Sequence, residues 1–421
     1  MAKEDIQKFS IEHDEPAWLL NKRLDAFEQA ETLELPHIER ANFRGWKLES
    51  TAIGETSASQ AVPDFTALDN HPLIVQIGSQ TVFEQLPQAL AEQGVILTSF
   101  ADALTDYPEL IEKHLGTVVS PDEDKITASN LASFNSGVVL IVPDNVTVTE
   151  PIEVQIFHNA DSYIPFNKRV LIIAGKNSKF SYLERLQSTT DGTDKTTGNF
   201  VVEVIAQEGA EVKYAAIDEL NEHLTAFITR RASIAENATV DWSIGIFNDG
   251  NIIADFDSDL RGTNSRSNIK AVGISTGRQI QVADTRVTNY GNQSVGHILQ
   301  HGVALEKGTL TFNGIGHIIK GAKGAGAQQK TKVLMLSDTA RTDANPILLI
   351  DENDVTAGHA ASIGQIDPDD LYYLQSRGLD EEEAKHLVVR GFLGAVISEI
   401  PVKSVRQEMI QTIDQKLSFV K

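Results

Sequence analysis

NSKFSY at residues 177–182, GAEVKY at 209–214 and NATVDW at 237–242 are three copies of one weak repeat. Each copy has a turn residue, a small residue and then an alternating strand that ends in an aromatic side chain. The three aromatic residues are 32 and 28 residues apart, and KGTLTF at 307–312 fits the pattern more loosely. Strand-forming units that recur at this spacing, with no helix between them, indicate stacked coils.

Turn chemistry and composition around the repeat support the same interpretation. Gly and Asn suit the corners of a coil because both tolerate positive φ. Short β-branched runs such as GVVLIV at 137–142 and KVLML at 332–336 extend the pattern in both directions. A single coil cannot bury its own apolar face, so neighbouring coils share one long core. The pattern predicts a mainly β protein built as a β-helix, and it leaves a large β-sandwich open as the alternative.

The regions on either side of the β body have helical or mixed patterns. LIVQIG at 73–78 predicts a short strand, and residues 82–92 and 100–115 predict helices. The last 55 residues carry helical periodicity with clear start and stop signals. We therefore predict an N-terminal α/β region over residues 1–115, a β-helix core over 116–365 and an α-helical C-terminal region over 366–421.

Composition excludes several classes of protein. The 421 residues include 36 Lys plus Arg and 59 Asp plus Glu, which gives a net charge of −23. Such a balance argues against nucleic-acid binding and against adsorption to anionic membranes. There is no cysteine, so the chain can form neither a disulfide nor a thiolate ligand. No apolar signal segment or membrane-spanning run is present, and we expect a cytoplasmic protein.

Two local patterns are candidate sites with simpler structural explanations. The glycine-rich residues 320–327 would suit a phosphate cradle, but they lack P-loop spacing, and a tight turn or mobile loop is favoured. His297 and His301, with His317 further along, could ligate a metal. Their region has strand character and offers no HExxH glutamate, which weakens that interpretation.

Asp255, Asp257 and Asp259 alternate along a strand-like stretch, so their carboxylates should share one face. β-Helical pectin-processing enzymes use clustered carboxylates for acid chemistry or for calcium. The alternative function is therefore a β-helical carbohydrate-active enzyme that uses this face. A solvated strand face in an acidic protein is the simpler explanation.

His359 is the candidate metal ligand. It follows the strand-like NPILLI at 345–350 and lies in what we interpret as a glycine-flanked loop between Gly358 and Gly364. The β body passes into the helical tail at this point, which is a natural place for function. From the residues alone, a loop histidine with satisfied hydrogen bonds is the simpler interpretation.

The tail is a candidate docking surface. Asp367 and Pro368 start a helix that Gly378 ends, and Asp380 caps a second helix with an apolar stripe. A helical tail at the end of a β-helix can cap the body or dock a partner. The candidate partner-binding residues are Leu371, Tyr372, Arg377, Gly378, Leu387 and Phe392.

Several stretches resemble the SufB/SufD family of iron–sulfur cluster assembly proteins. The similarity covers roughly residues 10–30 and, more strongly, 290–400. SufB-like chains carry a cysteine just before the acidic or histidine position of the equivalent loop, and this chain has none, so it is similar to the SufD side of the family. Some SufD relatives also carry a cysteine near the histidine, where this chain has Thr356, Ala357 and Gly358. The matching motifs are EPAWLL at 15–20, FNGIGH at 312–317, LSDTARTDANP at 336–346, HAASIG at 359–364 and LYYLQSRGL at 371–379.

The resemblance implies a right-handed parallel β-helix between helical regions and a non-enzymatic scaffold role in the SufBCD complex. It implies that the chain pairs with its paralogue SufB through the end of the β-helix near His359, and that the tail docks SufC, an ABC-type ATPase. His359 would ligate iron or a cluster at that interface, with thiolates from the partner. The chain would hold no cofactor alone, and any cluster would be transient and shared. A homodimer of the isolated chain is a further expectation, and a purely structural partner without a ligand is the alternative.

Overall fold

The computed structural model of the chain is a two-sheeted β-solenoid of about eight turns, flanked by helices. It describes residues 1–49, 52–56, 71–189, 195–398, 400 and 403–418. The helices are α1 (Lys3–Glu12), α2 (Ala17–Thr32), α3 (Gln88–Ala91), α4 (Phe100–Asp106), α5 (Pro108–His114), α6 (Lys125–Ser133), α7 (Pro368–Ser376), α8 (Glu381–Ile397) and α9 (Lys403–Ser418). The strands are β1 (Leu73–Ile77), β2 (Gln80–Gln85), β3 (Ile96–Ser99), β4 (Ser136–Val142), β5 (Ile152–His158), β6 (Phe166–Ala174), β7 (Lys179–Ser188), β8 (Thr196–Ala206), β9 (Glu211–Glu219), β10 (Leu224–Ile234), β11 (Thr239–Ile246), β12 (Asn251–Leu260), β13 (Arg266–Ser275), β14 (Ile280–Asn289), β15 (Val295–Ala304), β16 (Thr309–Ile318), β17 (Ala325–Met335), β18 (Arg341–Ile350) and β19 (Val355–Gln365).

Successive strands of the solenoid alternate between the two sheets. One sheet has the order β19-β17-β15-β13-β11-β9-β7-β5-β1-β2, and the other has the order β18-β16-β14-β12-β10-β8-β6-β4-β3. From β4 onward, each strand pairs in parallel with the strand one coil further along the chain. A sandwich of antiparallel sheets would not give this order, so the predicted stacked coils are confirmed.

The aromatic repeat forms a column inside the solenoid. Tyr182 is paired with Tyr214 on the next coil, and Tyr214 is paired with Trp242. The ring centroids are 4.8 and 4.6 Å apart, and all three side chains are buried. The looser stretch at 307–312 is not a fourth copy, because Phe312 lies on β16 in the other sheet, opposite Ala283.

Residues with positive φ are stacked along one corner of the solenoid. Asn177, Gly209, Asn237 and Asn264 have φ of 53°, 69°, 56° and 57°. The backbone N–H of Gly209 donates to a carbonyl of the next coil at 2.9 Å, and the amide of Asn264 donates to Asn237 Oδ1, also at 2.9 Å. A Cβ on Gly209 would lie 2.3 Å from Asn177 Oδ1. The corner therefore depends on residues that tolerate this conformation, as predicted.

Helices cover the outer faces of both sheets. On the ten-stranded sheet, Val389 and Leu393 of α8 and Met409 of α9 join a buried cluster with strand residues such as Val272 and Val303. On the nine-stranded sheet, α2, α4 and α6 form a second cluster with residues of β4 and β6, and residues 35–48 pack further along. Each large apolar side chain buried in this way contributes roughly 1.5–3 kcal/mol relative to exposure.

The N-terminal end of the solenoid is closed by short antiparallel strands and helices. β2 pairs with β1, and β3 pairs with β4, both antiparallel. The helix predicted over residues 82–92 is therefore wrong in its first part, because residues up to Gln85 belong to β2. The turn at Gly78, with φ of 56°, lets β2 fold back on β1, and this pairing outweighs local helical periodicity.

Buried ion pairing fixes helical and loop residues to this end. Arg169 pairs with Glu203 at 2.7 Å, and both side chains are fully buried. Glu203 also accepts the backbone N–H groups of Gly116, Val118 and Val119 at 2.9–3.1 Å. In the part of the chain that the structure describes, no helix is long and apolar enough to cross a membrane.

Candidate functional site

The C-terminal end of the solenoid is open. β18 and β19 are the last strands of their sheets, and each is paired on one side only, β18 with β16 and β19 with β17. Among the described residues, nothing pairs with their other edges. An edge strand presents unpaired backbone N–H and C=O groups, which form a template for another strand. Two such edges lie side by side at this end.

His359 occupies the last position of the inward-facing column that contains the aromatic repeat. Each residue of this column, one per coil, is called a rung. The register runs from Trp242 to Ile269, Ile298, Gln329 and His359. Paired positions of parallel strands direct their side chains to the same face of a sheet. His359 therefore belongs to the interior face of the solenoid, yet it is exposed because no coil follows it.

The prediction that His359 lies in a glycine-flanked loop is wrong. Residues 355–365 form β19, which pairs with β17 along its whole length. Gly358 has low intrinsic strand preference, but the long-range pairing decides its conformation. A Cβ there would lie 2.9 Å from Gln328 Oε1 on the neighbouring strand, so the glycine permits this close approach. The backbone that carries the imidazole is therefore part of a regular, hydrogen-bonded strand.

An apolar frame surrounds the imidazole. Alternation along the two edge strands places small and apolar residues on the same interior face as His359. Ile350 and Ile363 are 39% and 41% exposed, which is unusual for such side chains. Residues of the interior face are therefore accessible to solvent at the last coil. The framing residues are Thr342, Ala344, Pro346, Leu348 and Ile350 of β18 and Val355, Ala357, Ala361 and Ile363 of β19.

Polar side chains lie directly before the His359 rung. Gln329 is 4% exposed, and its Nε2 donates to Ile347 O at 2.9 Å, while its Oε1 has no partner among the described residues. At the next interior position of β17 and β15, Thr331 Oγ1 donates to Gln300 Oε1 at 2.8 Å. A Cβ on Gly316 would lie 2.7 Å from Gln329 Nε2, so glycine makes room for the amide. The interior thus changes from aromatic to polar as it approaches the open end.

Among the described residues, His359 is not accompanied by a preformed set of further metal ligands. Across the described ranges, no group of three or more His, Asp or Glu side chains is arranged to hold a metal ion. Any metal bound at His359 would need additional ligands from another molecule.

The predicted tail residues divide between solvent and body. Tyr372 and Leu387 are 73% and 51% exposed. Arg377 lies over the ring of the exposed Tyr373, 5.2 Å from its centroid, and Gly378 ends α7 with φ of 99°. Leu371 is half-buried.

Phe392 faces the opposite way from these exposed tail residues. Its ring stacks on His301 at 4.7 Å, and it packs against the cluster that joins α8 to the sheet. Its contacts attach the helix to the solenoid.

The three histidines that could have formed a metal site do not converge. His301 bonds through Nδ1 with the carbonyl of Phe392 at 2.9 Å. His297 is exposed on the same strand, while His317 lies on the other sheet and approaches Asp351 at 3.3 Å. Their positions fit separate structural roles.

The three aspartates share one outer face of β12, as predicted, and ion pairs engage them. Arg231 lies 3.1 Å from Asp257 and 3.9 Å from Asp255, and Arg261 pairs with Asp259. Burial, and then the neighbouring Asp257, raise the pKa of Asp255 well above its usual value. Cross-strand ion pairing accounts for this face without a substrate.

The glycine-rich stretch is a corner turn that leads into β17. Gly321 and Gly324 have φ of 101° and 71°. The backbone N–H of Gly321 donates to Glu352 at 3.0 Å, and Lys320 lies 3.5 Å from the same carboxylate. The backbone N–H groups of Asn353 and Gly321 together lower the pKa of Glu352 to about 2. The donors that a phosphate would need here already serve a carboxylate of the chain.

Comparison with known proteins identifies the class. The model of the family described as SUF system FeS cluster assembly, SufBD core domain, matches residues 157–392, which is more than half of the chain. The SufBD protein N-terminal region matches residues 63–154. The chain therefore belongs to the SufB/SufD family of iron–sulfur cluster assembly proteins.

Individual relatives extend this assignment along the whole chain. The iron–sulfur cluster assembly protein SufD of Bacillus subtilis is 38% identical over 99% of this chain and 98% of the relative. SufB of the same organism is 24% identical over 96% of this chain and 90% of the relative. A SufBD family protein of Staphylococcus saprophyticus is 23% identical over 94% and 89%. The resemblance to SufD is confirmed.

The column that joins His359 to the aromatic repeat is a feature that the motifs alone do not reveal. Its rungs fall at residues 182, 214, 242, 269, 298, 329 and 359, which keep nearly constant spacing. The regular spacing is present in the sequence. The later residues of the column are aliphatic or polar, so the aromatic pattern does not extend to them. Counting coils from the repeat would have reached His359.

Proposed function

We propose that this chain is a non-enzymatic scaffold subunit of a SufBCD complex, on which iron–sulfur clusters are assembled. The single observation that carries the proposal is the open end of the solenoid with His359 on its last rung. The cluster is cargo in this proposal, held between subunits and passed on. No observation favours the carbohydrate-active alternative, since ion pairs account for the aspartate face.

The shape of the open end supports a partner that is itself a solenoid. A partner must pair with two parallel edges at once and cover an apolar interior between them. A single peptide strand could satisfy only one edge. Another solenoid end supplies two edges and an interior of the same width.

SufB is the partner that we favour. The similarity of this chain to a SufB along 96% of its length supports a SufB body of the same kind, with a matching end. A second copy of this chain could pair in the same way when SufB is absent. The heterodimer is favoured because cysteine thiolates at the interface can come only from the partner, as this chain contains none.

The proposed role of His359 follows from coordination chemistry. A neutral imidazole is a good ligand for iron, and thiolates from the partner would complete a mixed set. The apolar frame around His359 would exclude water once the interface closes, which lowers the local dielectric and strengthens ligand–metal interaction. Pairing of β19 with β17 places the His359 backbone, and so the face to which its side chain projects, before the partner binds.

The tail is proposed to dock the SufC ATPase. Helix α7 begins at Pro368, only a few residues after β19 ends, so movement of the tail would reach the open end directly. Tyr372, Tyr373 and Leu387 expose a large apolar area that the body does not use. ATP hydrolysis in SufC would then alter the geometry around His359.

Replacement of His359 tests the ligand role. The variant His359→Ala should fold and pair with SufB but should yield less cluster in the reconstituted complex, read from its visible absorption. The matched control is His297→Ala, since His297 is also an exposed strand histidine. Cluster yield equal to that of the unaltered chain would remove His359 from the mechanism and leave a purely structural partner.

Charge substitution on the tail tests the docking role. Tyr372→Glu combined with Leu387→Glu should abolish capture of SufC and leave pairing with SufB intact. Tyr163→Glu is the control, because Tyr163 is 83% exposed but lies outside the tail. Capture of SufC at full strength by the double variant would overturn the proposed docking surface.

A further inference from the structure

A buried ammonium group lies near the closed end of the solenoid. Lys168 of β6 is 1% exposed, and its Nζ donates to the carbonyl of Gly78 and to Ser136 Oγ. An ammonium group has three N–H donors. Lys168 thus ties the β1–β2 turn to the solenoid, and its ammonium lies 5.7 Å from the centroid of the Phe166 ring. Within the described ranges, one of its three donors has no oxygen acceptor.

This ammonium faces a small cavity that contains no carboxylate among the described residues around it. The cavity has a volume of about 10 Å³, room for the centre of one water-sized sphere. Burial lowers the pKa of Lys168 to about 7, as expected for a cation without a counter-charge. The cavity is lined by Thr56, Gly78, Asn135, His158, Asn159, Ile164, Pro165, Phe166 and Lys168.

A second unsatisfied donor lines the same cavity. His158 is 2% exposed, its Nδ1 lies 3.3 Å from Ser188 Oγ, and its Nε2 has no partner in the described chain. Ser188 Oγ already accepts the backbone N–H of Asn221 at 3.1 Å, so its own hydrogen is available to His158 Nδ1. We assign the proton of the neutral imidazole to Nε2, the tautomer in which Nδ1 accepts the hydrogen of Ser188. Burial, with the charge of Lys168 beside it, lowers the pKa of His158 to about 4, so the ring is neutral at pH 7.

We propose that this cavity binds one monovalent anion of halide size, held between Lys168 Nζ and His158 Nε2–H. Two inward donors and one buried positive charge require an acceptor, and an anion also compensates the charge, which a water molecule does not. Chloride is the simplest species of this class. The site is independent of the cluster-assembly proposal, because it lies at the opposite end of the solenoid.

Anion binding should strengthen the closed end. Lys168 connects the turn at Gly78 with β4 and β6, so an occupant that compensates its charge stabilises that connection. His158 is the titratable group that faces Lys168 across the cavity, and it stays neutral above its pKa of about 4. Halide affinity should therefore fall as pH rises through about 7, because deprotonated Lys168 no longer attracts an anion.

Bromide tests the site in two ways. Crystals of the full chain grown in sodium bromide should show one anomalous peak within hydrogen-bond distance of Lys168 Nζ. In solution, replacing sodium gluconate by sodium bromide at constant ionic strength should raise the melting temperature in a saturable manner. The variant Lys168→Met should lose that dependence, whereas Lys176→Met, which removes an exposed lysine, should keep it.

Two results would overturn the proposal. One is the absence of an anomalous peak at this position in bromide, with water alone refining there. The other is a bromide-dependent melting temperature that Lys168→Met leaves unchanged. If Lys168→Met fails to fold, the pH series on the unaltered chain still decides, because an effect of bromide equal at pH 6 and pH 9 contradicts a site built on Lys168.

Discussion

The two ends of the solenoid are finished in opposite ways. At the N-terminal end, the last strands are short and antiparallel, helices pack beside them, and the buried Arg169–Glu203 pair ties a loop to the solenoid. At the C-terminal end, β18 and β19 are full-length parallel strands with unpaired outer edges among the described residues. Their interior-facing residues are mostly half-buried on β18 and mostly exposed on β19. The same coil is repeated between them. From this contrast we predict that stability is concentrated at one end and the capacity to bind a partner at the other.

The largest change in the free energy of unfolding is expected from a substitution at the N-terminal end. Arg169→Met should lower the free energy of unfolding by about 3–5 kcal/mol, because it leaves the carboxylate of Glu203 buried without its cation. Denaturant unfolding measures the change. Arg266→Met is the matched control on an exposed arginine and should shift stability by no more than about 0.5 kcal/mol. Equal losses from the two variants would mean that the buried pair does not distinguish this end.

A charge at the open end should act on pairing and leave the fold intact. Ile363→Asp should change the stability of the isolated chain by less than about 0.5 kcal/mol, since Ile363 is 41% exposed. It should weaken association with SufB at least about a hundredfold, roughly 2.7 kcal/mol, because a carboxylate would be buried without a partner. Calorimetric titration gives the affinity, with Ile11→Asp as an exposed control far from this end. Unchanged affinity for Ile363→Asp would place the interface elsewhere.

A pair of glycine substitutions compares the middle of the solenoid with its open end. Gly209→Ala should cost about 2 kcal/mol, because φ there is 69° and the new Cβ would lie 2.3 Å from Asn177 Oδ1. Gly364→Ala should be nearly neutral in the isolated chain, since nothing lies within 4 Å of its added Cβ. Thermal unfolding of both variants checks the difference. Similar melting temperatures would show that the corner tolerates a side chain.

The smallest expected effect concerns a polar ladder that leads to the open edge. Asp284 Oδ1 accepts from Asn313 at 2.6 Å, and Asn313 Oδ1 accepts from Asn345 of β18 at 2.9 Å. Burial raises the pKa of Asp284 to about 6; the hydrogen bond from Asn313 and the charge of Arg286 lower it, and Asp257 raises it. The folded state therefore prefers the protonated acid, and this contribution is full below about pH 4 and is lost as pH rises through about 6.

Asp284→Asn imitates the protonated acid and removes this dependence. The variant should be more stable than the unaltered chain at pH 7.5, and the two should have equal stability near pH 4. Urea unfolding across that range measures the difference. A variant that is less stable at pH 7.5 would show that the charged carboxylate supports the ladder.

Much of the fold could be predicted because coils repeat their own chemistry. Tyr182, Tyr214 and Trp242 occupy equivalent positions, so local spacing reported a long-range arrangement. The closed end has no such redundancy. There, residues 80–85 form the strand β2 because they pair with β1. The helical periodicity of residues 82–92 is a local pattern and carries no information about that pairing.

A candidate site could be predicted only where its residues are close together in the sequence. His359 could be singled out from its motif, but its strand and its rung depend on β17, whose sequence lies 30 residues earlier in the register with Gln329. Lys168 and His158 form a cavity with Gly78 and Thr56, which are remote in sequence. Convergence of that kind leaves no local pattern, so side-chain positions were needed to find it.

Because every coil is stacked in register on the one before, the number of coils sets the length of the solenoid. Each coil adds about 4.8 Å along the axis, the spacing of neighbouring strands. Insertion or loss of one whole coil, together with its Asn or Gly corner, would change the distance between the helical cap and His359 by that fixed step. The imidazole would still occupy the same rung. A chain longer or shorter by one whole coil would therefore keep the same open end.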